Sequence, residues 1–438
     1  MKNYFYNLAD HINQVIKKDE FYMTNLVGEE SDFIRMNNCK IRQGGNVSQY
    51  YLELTLIKGN KQASYSLVLS KDKDNDIKLI NKTLDDLRSR FDFLPEDPYL
   101  LYATEVHSSE QVSKNNLPNS KDAVSEILNA ARGKDLVGIY ASGGIMYGFA
   151  NSLGQKNWFE KYNFNADWSL YYRADKAVKS GYAGFTWDSK LLKAKMDKAL
   201  NEFAIISKEP KTIKPGKYRV YLAPSALDEF IGMLGWGGFG LKSQKTKNSP
   251  LLKMIDENFK LHASVTMKEN TKEGIAPNFQ QEGFIKKDEV VLIKEGAYAG
   301  SLISPRSAKE YNVETTGSAE GLESFEMLGG NVEDNRILET LGTGILMNNA
   351  WYLNYSDKAS CRITGMTRFA SFWVEEGKIK APLNVMRFDE SIYRMLGENL
   401  VGLTRNQDFI ASAGTYYRRS TGSSRLPGAI VKDFIFTL

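Results

Sequence analysis

The sequence predicts an α+β protein, in which a mixed α/β N-terminal domain is followed by a C-terminal domain of mainly antiparallel sheet. The chain has 438 residues, more than one hydrophobic core usually serves, and this length favours two domains. Stripes of apolar residues at helical spacing are concentrated in the first half, whereas two-residue alternation dominates the second. Hydrophobic residues make up 42% and charged residues 25% of the chain, a balance typical of globular proteins, so both halves should fold.

The predicted N-terminal domain, residues 1–205, mixes helices with antiparallel strands. A hairpin is expected around Gly59 and Asn60, because this turn pair accepts positive φ and separates two alternating runs. Aromatic-rich alternating runs near the end of the domain predict an antiparallel meander. The predicted elements are, in order, a helix in 1–20, the hairpin in 50–69, a helix in 83–91, a polar loop in 107–120, a helix in 121–132, the meander in 135–187 and a helix in 189–204.

Residues 206–217 combine prolines, lysines and a glycine directly after a predicted helix, and this composition indicates a linker. The C-terminal domain is then expected at residues 218–438. It should begin with the strand KYRVYLAP and the helix SALDEFIGML, followed by a helix at 249–258. The remainder is predicted as strands and turns, with one helical insert near 387–395.

Charge and cysteine content exclude several classes of protein. The 57 Lys and Arg residues against 53 Asp and Glu give a net charge of +4, too small for a dedicated nucleic-acid binder. The N-terminal segment lacks the apolar stretch of a secretory signal, and no run of 18 apolar residues predicts a membrane span. Cys39 and Cys361 are far apart and are expected to be small buried residues, which favours a cytoplasmic protein.

The three histidines and two cysteines are too few and too scattered for an ordinary catalytic zinc site. Such a site needs three protein ligands and an open position for water. His11, His107 and His262 lie in a predicted helix, a polar stretch and a loop. An all-carboxylate site for magnesium or calcium stays possible, although no acidic residues have the spacing of a known loop.

Two short motifs resemble catalytic sequences, but their surroundings favour structural roles. GWGGFG at residues 235–240 matches G-x-G-x-x-G. A dinucleotide site would need a strand before it, whereas here a helix is predicted, so a helix stop and a loop are expected. Ser142 lacks the G-x-S-x-G spacing and is predicted in a turn at a strand edge.

Four segments occur in a characteristic order in the second half: ETLGTGILMNNAWYLNY, ITGMTRFASFWVEEGKIKAP, MLGENLVGLT and GAIVKDFIF. In this order they resemble the TldD/PmbA family of metalloproteases, also described as modulators of DNA gyrase. YLAPSALDEFIGMLGWGGFG falls where that family has its metal-binding helix, and YASGGIMYGFANSLG extends a looser likeness into the first half. The resemblance covers most of the chain.

The resemblance implies that zinc ligands are missing. Active members have H-E-x-x-x-H on that helix and a further cysteine ligand near the C terminus. The equivalent here is DEFIGM at residues 228–233, which keeps Glu229 but has Asp228 and Met233 in place of the histidines, and residues 404–425 contain no cysteine. A thioether and a single carboxylate are poor substitutes for imidazole and thiolate. No metal is therefore expected on this chain. Glu229 could be a general base only beside a metal-bound water, and is otherwise a solvated carboxylate near a helix start.

The chain thus looks like the ligand-poor PmbA or TldE type, which pairs with a zinc-bearing TldD-like subunit in a cytoplasmic protease for small or unfolded peptides. The resemblance implies a non-catalytic subunit that is inactive alone. Two alternatives stay open. One is a self-sufficient hydrolase with an unconventional metal site that includes Asp228, Glu229 and distant carboxylates. The other is a homodimeric protein that captures extended peptides along an exposed strand edge.

Overall fold

The computed structural model describes residues 1–173 and 176–437. Within these ranges the chain forms three β-sheets and ten α-helices. Helices and strands are mixed in the first half, and the second half is mainly antiparallel sheet, which confirms the predicted α+β class. Of the helices in these ranges, none is both long and apolar enough to cross a membrane.

The strands of the first half belong to one sheet, called here the N-terminal sheet. They are β1 (Phe21–Asn37), β2 (Lys40–Lys58), β3 (Lys61–Val68), β4 (Ser109–Val112), β5 (Asp135–Asn151), β6 (Lys156–Arg173) and β7 (Lys176–Gly184). Their order is β3-β2-β1-β5-β6-β4, with β7 also paired to β6, and only the β4–β6 pair is parallel. The helices of this half are α1 (Lys2–Val15), α2 (Lys73–Arg88), α3 (Ser120–Ala130) and α4 (Ser189–Ile206).

The second half contains two further sheets. Six strands form the small sheet, in the order β11-β10-β9-β12-β21-β20; they are β9 (Met267–Asn270), β10 (Glu289–Lys294), β11 (Ala297–Tyr298), β12 (Ser324–Met327), β20 (Asp408–Ala411) and β21 (Ser423–Leu426). Nine strands form the central sheet, in the order β14-β15-β18-β22-β8-β13-β16-β17 with β19 also paired to β22; they are β8 (Gly216–Leu222), β13 (Gly344–Met347), β14 (Ala350–Asp357), β15 (Arg362–Thr367), β16 (Ser371–Glu375), β17 (Lys378–Pro382), β18 (Arg387–Ser391), β19 (Leu400–Leu403) and β22 (Ala429–Phe436).

Six helices lie in this half: α5 (Pro224–Gly235), α6 (Leu241–Lys245), α7 (Leu252–Asp256), α8 (Pro305–Tyr311), α9 (Ile337–Leu341) and α10 (Ile392–Met395). All are short except α5, which has twelve residues. Because α5 follows β8 directly, its first turn lies at the end of a central strand.

Strand β8 of the central sheet packs against hydrophobic residues on both faces. Val220 and Leu222 of β8 belong to a hydrophobic cluster with α5 and the small sheet. Tyr221, between them, belongs to a second cluster that includes α3, α4 and the N-terminal sheet. Side chains of a strand alternate between faces, so one short strand contributes to both clusters. The two halves therefore share a hydrophobic cluster. The domain boundary at residues 206–217, which run from the end of α4 into β8, stays a prediction.

Buried polar residues account for two incorrect element predictions. α2 begins at Lys73, before the predicted start at residue 83, with Asp72 capping the amides of Asp74 and Asn75. Asp76 lies on the buried face of this helix and accepts a hydrogen bond from Tyr4. A polar residue therefore interrupts the helical spacing of apolar residues in the sequence. Of the helical insert predicted near 387–395, only 392–395 form a helix, α10, and residues 387–391 form β18, in which Glu390 is buried and accepts a hydrogen bond from Arg394.

Other predictions were also incomplete. The predicted loop at 107–120 contains β4, and the predicted helix at 249–258 is reduced to α7, since Pro250 precedes it and Asn258 has positive φ. No element was predicted for residues 21–49, which form β1 and the first part of β2. The hairpin at Gly59, the meander, α3 and α4 are confirmed.

Candidate functional site

Helix α5 presents a carboxylate pair on its outer face. Pro224 occupies its first turn, where the missing N–H of proline costs nothing. Its buried residues pack between the central and small sheets; they are Ala226, Leu227, Phe230, Ile231, Met233 and Leu234. The stripe leaves Asp228 half-buried and Glu229 exposed. The helix therefore fixes these two carboxylates at its surface while its other residues hold it in the core.

The two positions at which the resemblance places the zinc-binding histidines, 228 and 233, do not come together. Asp228 faces a cleft, whereas the Met233 side chain is 4% exposed and lies in the core. Positions five apart are about 140° apart around a regular helix, and α5 continues unbroken through both. The Met233 carbonyl accepts a hydrogen bond from the Tyr355 hydroxyl at 2.7 Å. A single ion cannot contact both side chains in this arrangement.

The cleft in front of Asp228 and Glu229 has a volume of about 510 Å³ and lies between the two halves of the chain. One wall comes from β7 and α4, and the opposite wall from α5, Asn348, Asn349 and residues 408–413. These residues are distant in sequence and meet only because the central sheet packs against α4.

Burial perturbs the acidic residues of the cleft. Removal from water raises the pKa of Asp228, and the Ser424 hydroxyl, which donates to Asp228 Oδ1 at 2.6 Å, partly opposes this. The pKa of Glu229 is raised first by the cleft walls and second by the neighbouring Asp228 charge, with Lys179 acting in the opposite direction. Desolvation likewise raises the pKa of Glu202 and of Asp167. The cleft therefore concentrates carboxyl groups that hold protons more tightly than usual.

The described residues do not fit a zinc ion. His11 bonds to Asn81, His107 lies beside Glu105 and His262 bonds to Ser264, and none of these histidines lines the cleft. In residues 1–173 and 176–437, no group of three or more His, Cys, Asp or Glu side chains is arranged to hold a metal ion. Carboxylates without imidazole or thiolate also form a donor set that zinc seldom uses.

The cysteines lie away from the cleft. Cys361 is fully buried in a turn before β15, and burial raises its pKa to about 12. This confirms that it is a buried residue and excludes a thiolate at neutral pH. Cys39 is only half-buried, with its Sγ 3.3 Å from the Leu128 carbonyl oxygen, so the prediction that it is buried was only partly right.

The segment 404–425, where the family cysteine was expected, contributes residues 408–413 to the wall of the cleft. Ser424 of β21 reaches Asp228, while Arg419 of the preceding loop inserts into the N-terminal sheet. The Arg419 guanidinium donates to the Asn163 carbonyl at 3.0 Å and the Gly143 carbonyl at 3.3 Å. Burial lowers its pKa to about 10. The loop is thus attached to the opposite half of the chain.

The structure corrects one of the two motifs. Ser142 lies within β5 and is buried, 3.0 Å from Ser120 Oγ, so the predicted turn is wrong. The expected helix stop is confirmed, because α5 ends at Gly235 and Gly237 has a φ of 86°.

Sequence reasoning found Asp228 and Glu229 but missed their neighbours. Glu202 was predicted only as part of α4, and Ser424 had no distinguishing sequence signal. Asn348 and Asn349 are consecutive amides after the buried strand GILM. Two polar residues directly after a buried strand are the one sequence signal that could have identified Asn348 and Asn349 as site residues.

Comparisons with known proteins agree in pointing to one family. Residues 215–437 match the family model described as the PmbA/TldA metallopeptidase C-terminal domain. A stretch of 108 residues is 28% identical to Metalloprotease PmbA of Escherichia coli O157:H7, covering 24% of this chain and 23% of that protein. The match thus spans about a quarter of that relative.

Solved structures share the fold over the whole chain. TldE from Thermococcus kodakarensis superposes with a TM-score of 0.79 at 14% identity, covering 99% of this chain and 100% of that one. A candidate modulator of DNA gyrase from Thermotoga maritima gives 0.76 at 14% identity, with the same coverage. Another from Bacteroides thetaiotaomicron gives 0.75 at 17%, covering 100% and 98%. At these identities the likeness establishes the fold alone.

Proposed function

The chain belongs to the TldD/PmbA metallopeptidase family, and from this premise we propose that it is a non-catalytic subunit of a peptidase complex whose zinc ion is held by a partner chain. Membership confirms the resemblance inferred from the sequence. The proposed partner is a TldD-like subunit with an intact H-E-x-x-x-H helix, and the proposed substrates are small or unfolded peptides in the cytoplasm.

This proposal rests on the observation that the side chains of residues 228 and 233 point in different directions. Asp228 faces the cleft and Met233 is enclosed in the core. Restoring a metal site would require a different direction for one side chain as well as new ligand chemistry. This supports a role in which the fold is retained while zinc binding belongs to another subunit.

The cleft gives the subunit a role other than catalysis. Its walls come from both halves of the chain and include apolar residues such as Leu191, Phe409 and Ile410 beside the carboxylates. A groove that combines apolar walls with a few placed polar groups is typical of ligand-binding sites. We infer that it contributes to holding the peptide substrate.

Peptide cleavage and metal content test this proposal. The purified chain should contain well under one equivalent of zinc and should not cleave unstructured peptides. Adding a partner with H-E-x-x-x-H should produce cleavage that a chelator abolishes. Chelator-sensitive cleavage by this chain alone, lost in Glu229→Gln, would instead establish the self-sufficient hydrolase.

A homodimeric peptide-binding protein is the second candidate, and β14 is the observation that favours it. This strand is an edge of the central sheet and exposes Trp351 and Tyr352, the latter 72% exposed. Exposed edges can pair with extended peptides. Light scattering of the isolated chain and identification of chains that co-purify with it would separate a homodimer from a subunit of a mixed complex.

A further inference from the structure

The cleft beside α5 has more negative than positive groups. Five carboxylates and three lysines line it. Each lysine lies near one carboxylate: Lys179 is 3.5 Å from Asp167, Lys195 is 3.3 Å from Asp408 and Lys198 is 4.0 Å from Glu202. In the part of the chain that the structure describes, Asp228 and Glu229 form no ion pair. Two adjacent carboxylates are therefore left without an ion-pair partner among the described residues.

A second feature of the same cleft is independent of these charges. Asn348 and Asn349 follow β13 and line the cleft, and they are only 6% and 8% exposed. The side-chain oxygen of each has no hydrogen-bond donor among the described residues. Buried polar atoms are nearly always paired, so two consecutive unpaired acceptors indicate a donor supplied from outside the chain.

A single group that matched both features would carry a positive charge and donate several hydrogen bonds. A primary ammonium group meets both requirements, because it has three N–H donors and no acceptor. The cleft is also large and partly apolar, with Leu191, Ala194 and Ile410 in its walls. Such walls suit the carbon chain attached to an ammonium group, whereas a divalent cation requires a close shell of oxygen ligands that these residues do not form.

We propose that this cleft binds a primary ammonium group of an extended peptide. Asp228 and Glu229 supply the counter-charge, and the side-chain oxygens of Asn348 and Asn349 accept hydrogen bonds. The ammonium group belongs either to the peptide N terminus or to a lysine side chain. The inference rests on the proposed peptide-binding role and specifies the kind of peptide.

Titration of the full chain with four fluorescent peptides tests this inference. All share one neutral sequence. The first peptide has a free N terminus and no lysine, and the second has an acetylated N terminus and one lysine. The third has an acetylated N terminus and norleucine in place of the lysine, so it carries no ammonium group. The fourth has both a free N terminus and the lysine. If a lysine side chain supplies the ammonium group, the second peptide should bind at least about tenfold more tightly than the third. If the N terminus supplies it, the first peptide should bind more tightly than the third by the same factor.

The double variant Asp228→Asn, Glu229→Gln should remove this preference, so that peptides with and without an ammonium group bind equally. The matched control, Glu375→Gln with Glu376→Gln, removes two adjacent exposed carboxylates outside the cleft and should keep the preference. Circular dichroism would verify that each variant folds.

Three outcomes would overturn the inference: equal binding of all four peptides, no binding of any, or a preference that survives the double variant. Equal binding would leave the proposed subunit role intact, because that role requires a peptide without specifying its charge. Failure of the subunit role would instead appear as cleavage by the chain alone. Binding of calcium, magnesium and zinc would also be measured without peptide. Metal binding that depends on Asp228 and Glu229 would overturn the inference as well.

Discussion

The inner and outer faces of α5 are made from neighbouring residues but lie in opposite environments. Phe230 and Met233 are enclosed between two sheets, whereas Asp228 and Glu229 face a cleft, where neither forms an ion pair with a described residue. The inner face is determined by packing, and the outer face is free to vary in charge without disturbing the fold. A change of polar residues on the outer face of such a helix is therefore compatible with an unchanged architecture.

Truncating the inner face should have the largest effect. Phe230 is fully buried, with its ring 5.3 Å from that of Phe388. Phe230→Ala should lower the free energy of unfolding by about 3–5 kcal/mol, because it leaves a cavity in a packed core. Urea denaturation would measure this.

Gly232→Ala is the matched control on the outer face. An added Cβ would meet no atom within 4 Å, and alanine favours helix by about 0.5–1 kcal/mol over glycine. A loss of stability in this variant, or a small effect of Phe230→Ala, would contradict the assignment of the two faces.

Introducing histidine at both positions should not create a zinc site. Asp228→His with Met233→His places one imidazole in the cleft and the other in the core, where a buried polar ring without a partner costs roughly 2–4 kcal/mol. The double variant should be less stable than the parent and should bind no zinc after dialysis, as measured by elemental analysis. One retained equivalent of zinc would show that the two positions can converge.

A carboxyl in a packed environment provides a test by pH. Glu269 of β9 is 6% exposed, and burial raises its pKa to about 7 despite hydrogen bonds from the amides of Glu323 and Ser324. The folded state thus holds this proton more tightly than the unfolded state. Its contribution to stability is complete below the ordinary pKa of 4.5 and is lost as the pH rises through 7.

Glu269→Gln should therefore remove roughly 2–3 kcal/mol of the parent's decline in stability between pH 4.5 and 7.5. Urea denaturation across this range would measure it, with Glu375→Gln as an exposed control. Parallel stability curves for parent and Glu269→Gln would show that the carboxyl is not perturbed.

Neutralising the outer face should have the smallest effect. Asp228→Asn keeps an acceptor for the Ser424 hydroxyl. It removes a carboxyl group whose pKa is raised by burial. At pH 7 its stability should equal that of the parent or exceed it by up to about 1 kcal/mol. A marked loss on thermal unfolding would indicate that the carboxylate has a structural partner.

The sequence predicted the class of fold and the helix that presents Asp228 and Glu229, because both depend on local periodicity. It could not predict what surrounds them. Glu202, Asn348 and Ser424 come from three distant segments and meet only after the central sheet has packed against α4. Local periodicity also failed where a buried polar residue, such as Asp76 or Glu390, occupied an inward position. Those residues are satisfied by tertiary hydrogen bonds that sequence spacing does not reveal.

The position of β22 has a consequence for synthesis on the ribosome. This strand lies between β18 and β8 in the central sheet, yet roughly 200 residues separate it from β8 along the chain. At about 5–20 residues per second, β8 waits roughly 10–40 s for this neighbour. During that interval the row of backbone hydrogen-bonding groups of β8 that pairs with β22 has no strand partner. The nascent chain should therefore be a substrate for chaperones until β22 emerges.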